Sequence, residues 1–183
     1  LKKKLEKKKY DVLALSVVQF LSGLKVDFCI LKEIRNKNPD LIIIGDATQF
    51  MGSDFFNFND SPFDVIVGSG YKWMMAGFGN AYLSVSSKFL NLTNSTSQKI
   101  YDKFYAGHIN LLGAASLDFA IKFLQKNNFN QLISHKNKLG SYLKDELKTL
   151  NLLDPIVERR KNHSSIFVIR GDQKLYNKLR SYG

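Results

Sequence analysis

Residues 41–72 read LIIIGDATQFMGSDFFNFNDSPFDVIVGSGYK, and two apolar runs within them decide the fold. The runs 41–45 and 64–68 are rich in β-branched residues and lack the polar alternation of a strand with one face in water. Such runs are typical of strands that are covered on both faces, as in a parallel sheet. A connector rich in Gly, Ser, Asn and Asp separates them, which predicts two strands joined by turns.

The chain on either side continues this alternation of strands and helices. An apolar run at 11–18 predicts another strand, and Asp27 is placed to cap a helix that ends before Pro39. Residues 81–85 predict a further strand. We therefore expect an α/β fold with a mostly parallel sheet and flanking helices.

The second half of the chain has a different pattern. Residues 111–125 and 129–150 show helical spacing of apolar residues. The run IFVI at 166–169 predicts a strand, and Asp172 is placed to begin a last helix. The second half of the chain therefore differs in character from the first half.

This change of pattern predicts a domain boundary near residue 126. The chain begins and ends within helical patterns. We therefore expect a fragment that is truncated at both ends.

The net charge of +11 is concentrated at the two ends of the chain. Residues 1–9 carry +5 and residues 122–183 carry +8, which is compatible with a non-catalytic basic module that binds RNA or an acidic partner. Only five of the 27 cations are arginine, the residue that usually makes forked contacts to phosphate and guanine. We therefore expect no nucleic-acid partner.

The composition excludes several other classes of protein. The apolar runs are too short for a transmembrane helix, so we expect no membrane partner. The single cysteine, Cys29, excludes an internal disulfide, fits a cytoplasmic location, and is expected to be a small buried residue. The histidines lack metal-ligand spacing, so we expect no metal site.

Polar side chains follow the two strands of the opening stretch. Asp46 comes directly after 41–45, Ser69 follows 64–68, and Lys72 lies three residues further on. The carboxyl ends of parallel strands share one edge of a sheet, where α/β proteins bind ligands. A lysine there can form a Schiff base with an aldehyde cofactor, and a carboxylate can keep a pyridine nitrogen protonated. Taken alone, however, an aspartate after a strand is better explained as a turn former.

The motifs taken together resemble the class V aminotransferase family of pyridoxal-phosphate (PLP) enzymes. The pattern D-x-x-Q-x-x-G is present at 46–52, S-x-[HY]-K-W at 69–73, and G-x-G at 77–79. Upstream, residues 16–23 are similar to the family's S-x-V-Q-[FY]-x-[ST]-G segment. Order and spacing agree over about residues 10–125, and a combined match is more specific than any single motif. The resemblance implies the fold-type I PLP-dependent transferase architecture. Residues 1–125 would be the later part of the large PLP-binding domain, and residues 126–183 the start of a small α+β C-terminal domain.

The resemblance also implies the cofactor and the main catalytic group. Lys72 would bind PLP covalently and move the proton at the alpha carbon of the substrate. Asp46 would pair with the pyridine nitrogen, and Gln49 would hydrogen-bond the phenolic oxygen of PLP.

Four further residues match positions that contact the cofactor in this family. Gln19 would lie near the ring, and Ser69 and Tyr71 would contact the phosphate. His108 lies where many members have the threonine of a G-T-x-N segment, which reaches the phosphate of the neighbouring subunit. The resemblance therefore implies a homodimer.

The implied function is that of a PLP-dependent enzyme acting at the alpha carbon of an amino-acid substrate, as an aminotransferase or a lyase. A kynureninase-like hydrolase or an epimerase is the alternative within the family, since kynureninase-like members carry tyrosine where Tyr71 stands. Desulfurases need a thiol on a mobile loop, which Cys29 does not match. Arg170, directly after a predicted strand, is expected at the surface and not on the substrate carboxylate.

Overall fold

A four-stranded sheet occupies the first half of the chain in the computed structural model, which describes residues 1–105, 107–160 and 163–182. The helices and strands of this half are α1 (Lys2–Lys7), β1 (Val12–Ser16), α2 (Phe28–Lys37), β2 (Ile42–Asp46), β3 (Val65–Ser69) and β4 (Ala81–Val85). The predicted strands at 41–45, 64–68 and 81–85 are therefore present, within a residue of their predicted bounds.

The order of strands in the sheet is β1-β2-β3-β4. β1 pairs with β2, and β2 with β3, in parallel, whereas β4 pairs with β3 in antiparallel orientation. Ile43 and Ile66 are fully buried, together with Leu31 from α2. The helix covers one face of the sheet because its apolar side chains recur at helical spacing. The predicted α/β fold with a mostly parallel sheet is confirmed.

The rest of the described chain is largely helical. Its helices are α3 (Ser87–Leu92), α4 (Ser97–Phe104), α5 (Leu111–Lys126), α6 (Phe129–Thr149), α7 (Pro155–Glu158) and α8 (Gln173–Ser181). Asp27 and Asp172 cap α2 and α8 as predicted, by accepting hydrogen bonds from the backbone N–H groups of Cys29 and Leu175. Within the three described ranges, none of the helices is long and apolar enough to cross a membrane. The division predicted near residue 126 would fall between α5 and α6.

Two predictions for single segments are wrong. Residues 166–169 form no strand, and only Ile169 makes an isolated bridge to Leu153. The backbone N–H of Ile166 donates instead to the side chain of Ser164, a local bond that competes with strand pairing. Cys29 is exposed, because the inward face of α2 is formed by Leu31 and Ile34 further along the helix.

A buried carboxylate connects three strands and a helix at the amino end of β3. Asp64, 3% exposed, accepts a hydrogen bond from the backbone N–H of Ile43 (2.8 Å) and forms an ion pair with Arg35 of α2. Its own N–H donates to the Ile43 carbonyl (2.8 Å), and its carbonyl accepts from the N–H of Ser86 after β4 (2.8 Å). Asp64 therefore links β2, β3, the end of β4 and α2.

We expect Asp64→Ala to lower the free energy of unfolding by about 3 kcal/mol, because it leaves Arg35 without its buried counter-ion. The control is Asp40→Ala, since the exposed Asp40 lies 4.0 Å from Lys9 and such a pair contributes at most about 1 kcal/mol. Urea unfolding of the two variants and the wild type measures the difference. Equal losses in both variants would contradict the role of Asp64.

Candidate active site

The carboxyl ends of the three parallel strands lie at one edge of the sheet. Ser16 of β1 is in register with Asp46 of β2, and Asp46 is in register with Val67 of β3. The Asp46 carbonyl accepts a hydrogen bond from the N–H of Val17 (2.8 Å), which continues the pairing just past β1. Asp46 therefore ends the central strand, flanked by the two strands from which Gln19 and Lys72 follow.

The carboxylate of Asp46 closes the turn that follows β2. One of its oxygens, Oδ1, accepts a hydrogen bond from the N–H of Thr48 (2.9 Å), so the turn-forming interaction considered from sequence is present. The Thr48 hydroxyl in turn accepts from the N–H of Ser69 (3.2 Å). Thr48 thus joins the ends of β2 and β3, a role that sequence reasoning missed although an Asp-x-Thr turn gives a local signal.

A tyrosine of β4 lies close to Asp46. Tyr82 is paired with Gly68 across the sheet, and its hydroxyl donates to the carbonyl of Ala47 (3.2 Å). A Cβ on Gly68 would overlap this hydroxyl, so the glycine makes room for it. Burial, and then the negative charge of Asp46, raise the pKa of the Tyr82 phenol above its ordinary value. The phenol therefore stays protonated and remains a donor beside Asp46.

The side chain of Gln49 is oriented by the residue that follows Lys72. Its Oε1 accepts a hydrogen bond from Nε1 of Trp73 (3.1 Å). An indole nitrogen can only donate, so it binds the amide oxygen and leaves the NH₂ group of Gln49 facing other partners. The same bond ties the loop that carries Lys72 to the turn after β2.

Gln19 is oriented in the same way by a residue of its own turn. Its Oε1 accepts from the N–H of Ser22 (2.6 Å) and from the Ser22 hydroxyl (2.9 Å). The amide oxygen is therefore occupied, and the NH₂ group is the part of Gln19 that can bind a ligand. Both glutamines at this edge thus present donors.

The amine of Lys72 is exposed and lies near aromatic rings. Nζ is 5.0 Å from the ring centroid of Tyr71 and 6.0 Å from that of Phe20, distances at which a cation is attracted to a ring face. The rings of Tyr71 and Phe78 are themselves 5.0 Å apart. Among the described residues, no salt bridge joins Lys72 to Asp46. The sequence analysis assigned no role to Phe20, although its position directly after Gln19 places it next to a candidate site residue.

The loop that follows Lys72 is fixed to the start of α5. The N–H of Gly77 donates to the Ser116 hydroxyl (2.6 Å), and Nδ2 of Asn110 donates to the carbonyl of Gly79 (3.2 Å). Gly79 has a φ of +78°, and a Cβ there would overlap the Asn110 amide, so this close approach requires glycine. His108 is exposed, two residues before Asn110. It hydrogen-bonds to none of the other candidate residues in the described part of the chain.

The structure therefore places most of the predicted site residues at one edge. This group contains Gln19, Asp46, Gln49, Ser69, Tyr71 and Lys72, whereas His108 lies in a separate loop. The arrangement offers a carboxylate, a primary amine, two amide donors and two hydroxyl groups. Within the described ranges, no group of three His, Cys, Asp or Glu residues is placed to bind a metal ion. The roles of these residues in binding or catalysis stay predictions.

Similarity to known proteins extends over almost the whole chain. The sequence model of the family described as aminotransferase class-V matches residues 1–178. A protein of Ureaplasma parvum named "Probable cysteine desulfurase" is 26% identical over 176 residues. That alignment covers 85% of this chain and 44% of the relative.

Solved structures share the fold. The apo structure of cysteine desulfurase from Thermococcus onnurineus superposes with a TM-score of 0.74 at 20% identity, covering 94% of this chain and 48% of that one. A phosphoserine aminotransferase from Cytophaga hutchinsonii gives a TM-score of 0.72 at 13% identity, covering 95% and 53%. These similarities confirm the fold-type I architecture.

The chain thus spans about half the length of the relatives that it matches. The match to the family's sequence model extends beyond the resemblance over about residues 10–125 and reaches into α8. The members of this family generally depend on PLP. With a match over residues 1–178, the chain belongs to the class-V aminotransferase family.

Proposed function

We propose that this chain is the PLP-binding part of an enzyme that acts at the alpha carbon of an amino-acid substrate, as an aminotransferase or a lyase. The observation that carries the proposal is the common edge at which Asp46, Gln49 and Lys72 lie. Relatives named as a cysteine desulfurase and as aminotransferases support this range of reactions. A hydrolase or an epimerase of the same family is the alternative.

The groups at this edge are complementary to the polar groups of PLP. The amine of Lys72 suits its aldehyde, and the carboxylate of Asp46 suits a protonated pyridine nitrogen. The NH₂ group of Gln49, directed away from Trp73, suits the phenolic oxygen. The hydroxyl groups of Ser69 and Tyr71 suit the phosphate. The donor set therefore fits the cofactor.

Each residue would contribute a separate part of the reaction. When bound, PLP supplies a ring that withdraws electrons from the alpha carbon of the substrate. Lys72 would accept the proton from that carbon through Nζ and return it. Asp46 would keep the proton on the ring nitrogen.

The alternative from another class is a non-catalytic basic module. The reactivity of Lys72 distinguishes this alternative from a PLP enzyme. We expect full-length wild-type protein, treated with PLP and borohydride, to carry a pyridoxyl group on Lys72. Lys72→Ala should lose this adduct, whereas Lys99→Ala, which removes an exposed lysine of α4, should keep it. Peptide mass spectrometry of the reduced proteins locates the label. A label on a different lysine in Lys72→Ala would overturn the assignment.

We expect Asp46→Asn to lower kcat by about 10²- to 10³-fold while PLP remains bound. The reason is the loss of the carboxylate charge that would stabilise the protonated ring nitrogen. The asparagine oxygen can still accept from the N–H of Thr48, so the turn should be preserved. Asp11→Asn is the matched control, since Asp11 precedes β1 at the opposite edge of the sheet. Near-normal turnover by Asp46→Asn, measured with the cofactor bound, would contradict the role of this carboxylate.

We also propose that the enzyme is a homodimer, in which His108 reaches the cofactor of the partner subunit. Large apolar side chains are exposed along the segment from α4 to α5, namely Phe104, Ile109, Leu111, Leu112 and Phe119. Exposed apolar side chains of this kind are typical of a protein interface, and these flank His108 in the sequence.

We expect Leu112→Glu to raise the dissociation constant of the dimer at least tenfold, because it buries a charge at an apolar contact. Leu112 is the second residue of α5, where a glutamate is compatible with the helix. Leu92→Glu, at the exposed end of α3, introduces the same charge and should leave the dimer intact. Sedimentation velocity over a range of concentrations measures the effect. Identical sedimentation of both variants would argue against this interface.

A further inference from the structure

The turn formed by residues 19–25, here called the Gln19 turn, connects the candidate active site to the C-terminal part of the chain. An antiparallel bridge between Val18 and Lys25 closes it. Within it, the N–H of Gln19 donates to the carbonyl of Leu24 (3.0 Å), and the N–H of Gly23 donates to the carbonyl of Gln19 (2.8 Å). These bonds make the turn a single unit, so its two ends move together.

One end of the Gln19 turn lies at the candidate active site. Phe20 is the aromatic residue whose ring lies 6.0 Å from the amine of Lys72. The amide of Gln19 is oriented by Ser22, which belongs to the same turn. A shift of the turn would therefore change both the direction of the Gln19 donor and the surroundings of the Lys72 amine.

The other end of the Gln19 turn contacts a segment about 140 residues further along the chain. The Ser164 hydroxyl donates to the carbonyl of Gly23 (2.7 Å). The Ser164 oxygen also accepts from the N–H of Ile166 (3.1 Å), which fixes its direction. Arg160 adds a hydrogen bond from its guanidinium to the carbonyl of Lys25.

The contact at Gly23 leaves no free space. Gly23 is buried with a φ of +65°, and a Cβ built on it would overlap the carbonyl oxygen of Ile166. Only glycine combines this backbone conformation with such a close approach. The C-terminal segment therefore limits the position of the turn by contact as well as by hydrogen bonds.

We propose that Ser164 is a positioning residue for the candidate active site. Its hydroxyl fixes the Gly23 end of the Gln19 turn. The turn in turn fixes the direction of the Gln19 amide and the position of Phe20 near the Lys72 amine. The inference rests on the proposed function, because the benefit of this placement is the binding of PLP.

The neighbouring serine provides a matched control. The hydroxyl oxygen of Ser165 is buried and has no hydrogen-bond partner among the described residues. Ser165→Ala therefore removes the same atom from the same segment without removing a bond to the turn. Ser164→Thr keeps the hydroxyl and tests whether that group alone is required.

Hydrogen exchange of the full-length protein, followed by mass spectrometry, tests the structural step without the cofactor. We expect Ser164→Ala to increase the exchange rate of the amides at 19–25 about threefold to tenfold, as for the loss of one hydrogen bond. Ser165→Ala and Ser164→Thr should exchange like the wild type. Unchanged exchange in a folded Ser164→Ala protein, or the same increase in Ser165→Ala, would overturn the inference.

Titration with PLP tests the step from the turn to the site. We expect the dissociation constant of PLP to rise about threefold to tenfold in Ser164→Ala and to be restored in Ser164→Thr. Faster exchange at 19–25 with unchanged PLP binding would also overturn the positioning role. Failure of the proposed function would look different, since the wild type itself would then carry no reducible adduct on Lys72.

Discussion

The buried carboxylate of Asp64 is the interaction on which the arrangement of the sheet depends. It accepts from the backbone of β2 and pairs with Arg35 of α2, while its own backbone joins β2 to the end of β4. A buried charge is costly unless all of its partners are present, so these elements can be placed only together. As a result β2 and β3 run side by side, and Asp46 and Ser69 reach the same edge of the sheet.

The chemistry offered at that edge is set by neighbours as much as by the site residues themselves. Trp73 and Ser22 bind the amide oxygens of Gln49 and Gln19, which leaves the NH₂ group of each side chain available as a donor. The Thr48 hydroxyl accepts a hydrogen bond from the N–H of Ser69, and the backbone N–H of Thr48 donates to the Asp46 carboxylate. These bonds fix the direction of the carboxylate. A site whose polar groups are oriented before a ligand arrives loses little free energy to reorganisation.

The strands could be predicted from the sequence because their signal is local. Three apolar runs predicted β2, β3 and β4, and Asp27 predicted the start of α2. The strand predicted at 166–169 failed because a strand needs a neighbour, and Ser164 supplies a competing local bond. The proximity of Phe20 to Lys72 could not be predicted, since it depends on how two distant turns meet. The roles of the seven candidate residues came from resemblance and not from spacing.

The contact between Gly23 and Ser164 has a consequence for the order of events during synthesis. The two residues are separated by 141 positions, so the ribosome completes β1 long before the segment that fixes its turn. Until Ser164 and Ile166 have emerged, the Gly23 end of the Gln19 turn lacks its contacts to them, and the loop that must close is long. The sheet can therefore form on the nascent chain while the candidate site at its edge is still incomplete. Maturation of the site then becomes a late event, timed by the arrival of the C-terminal segment.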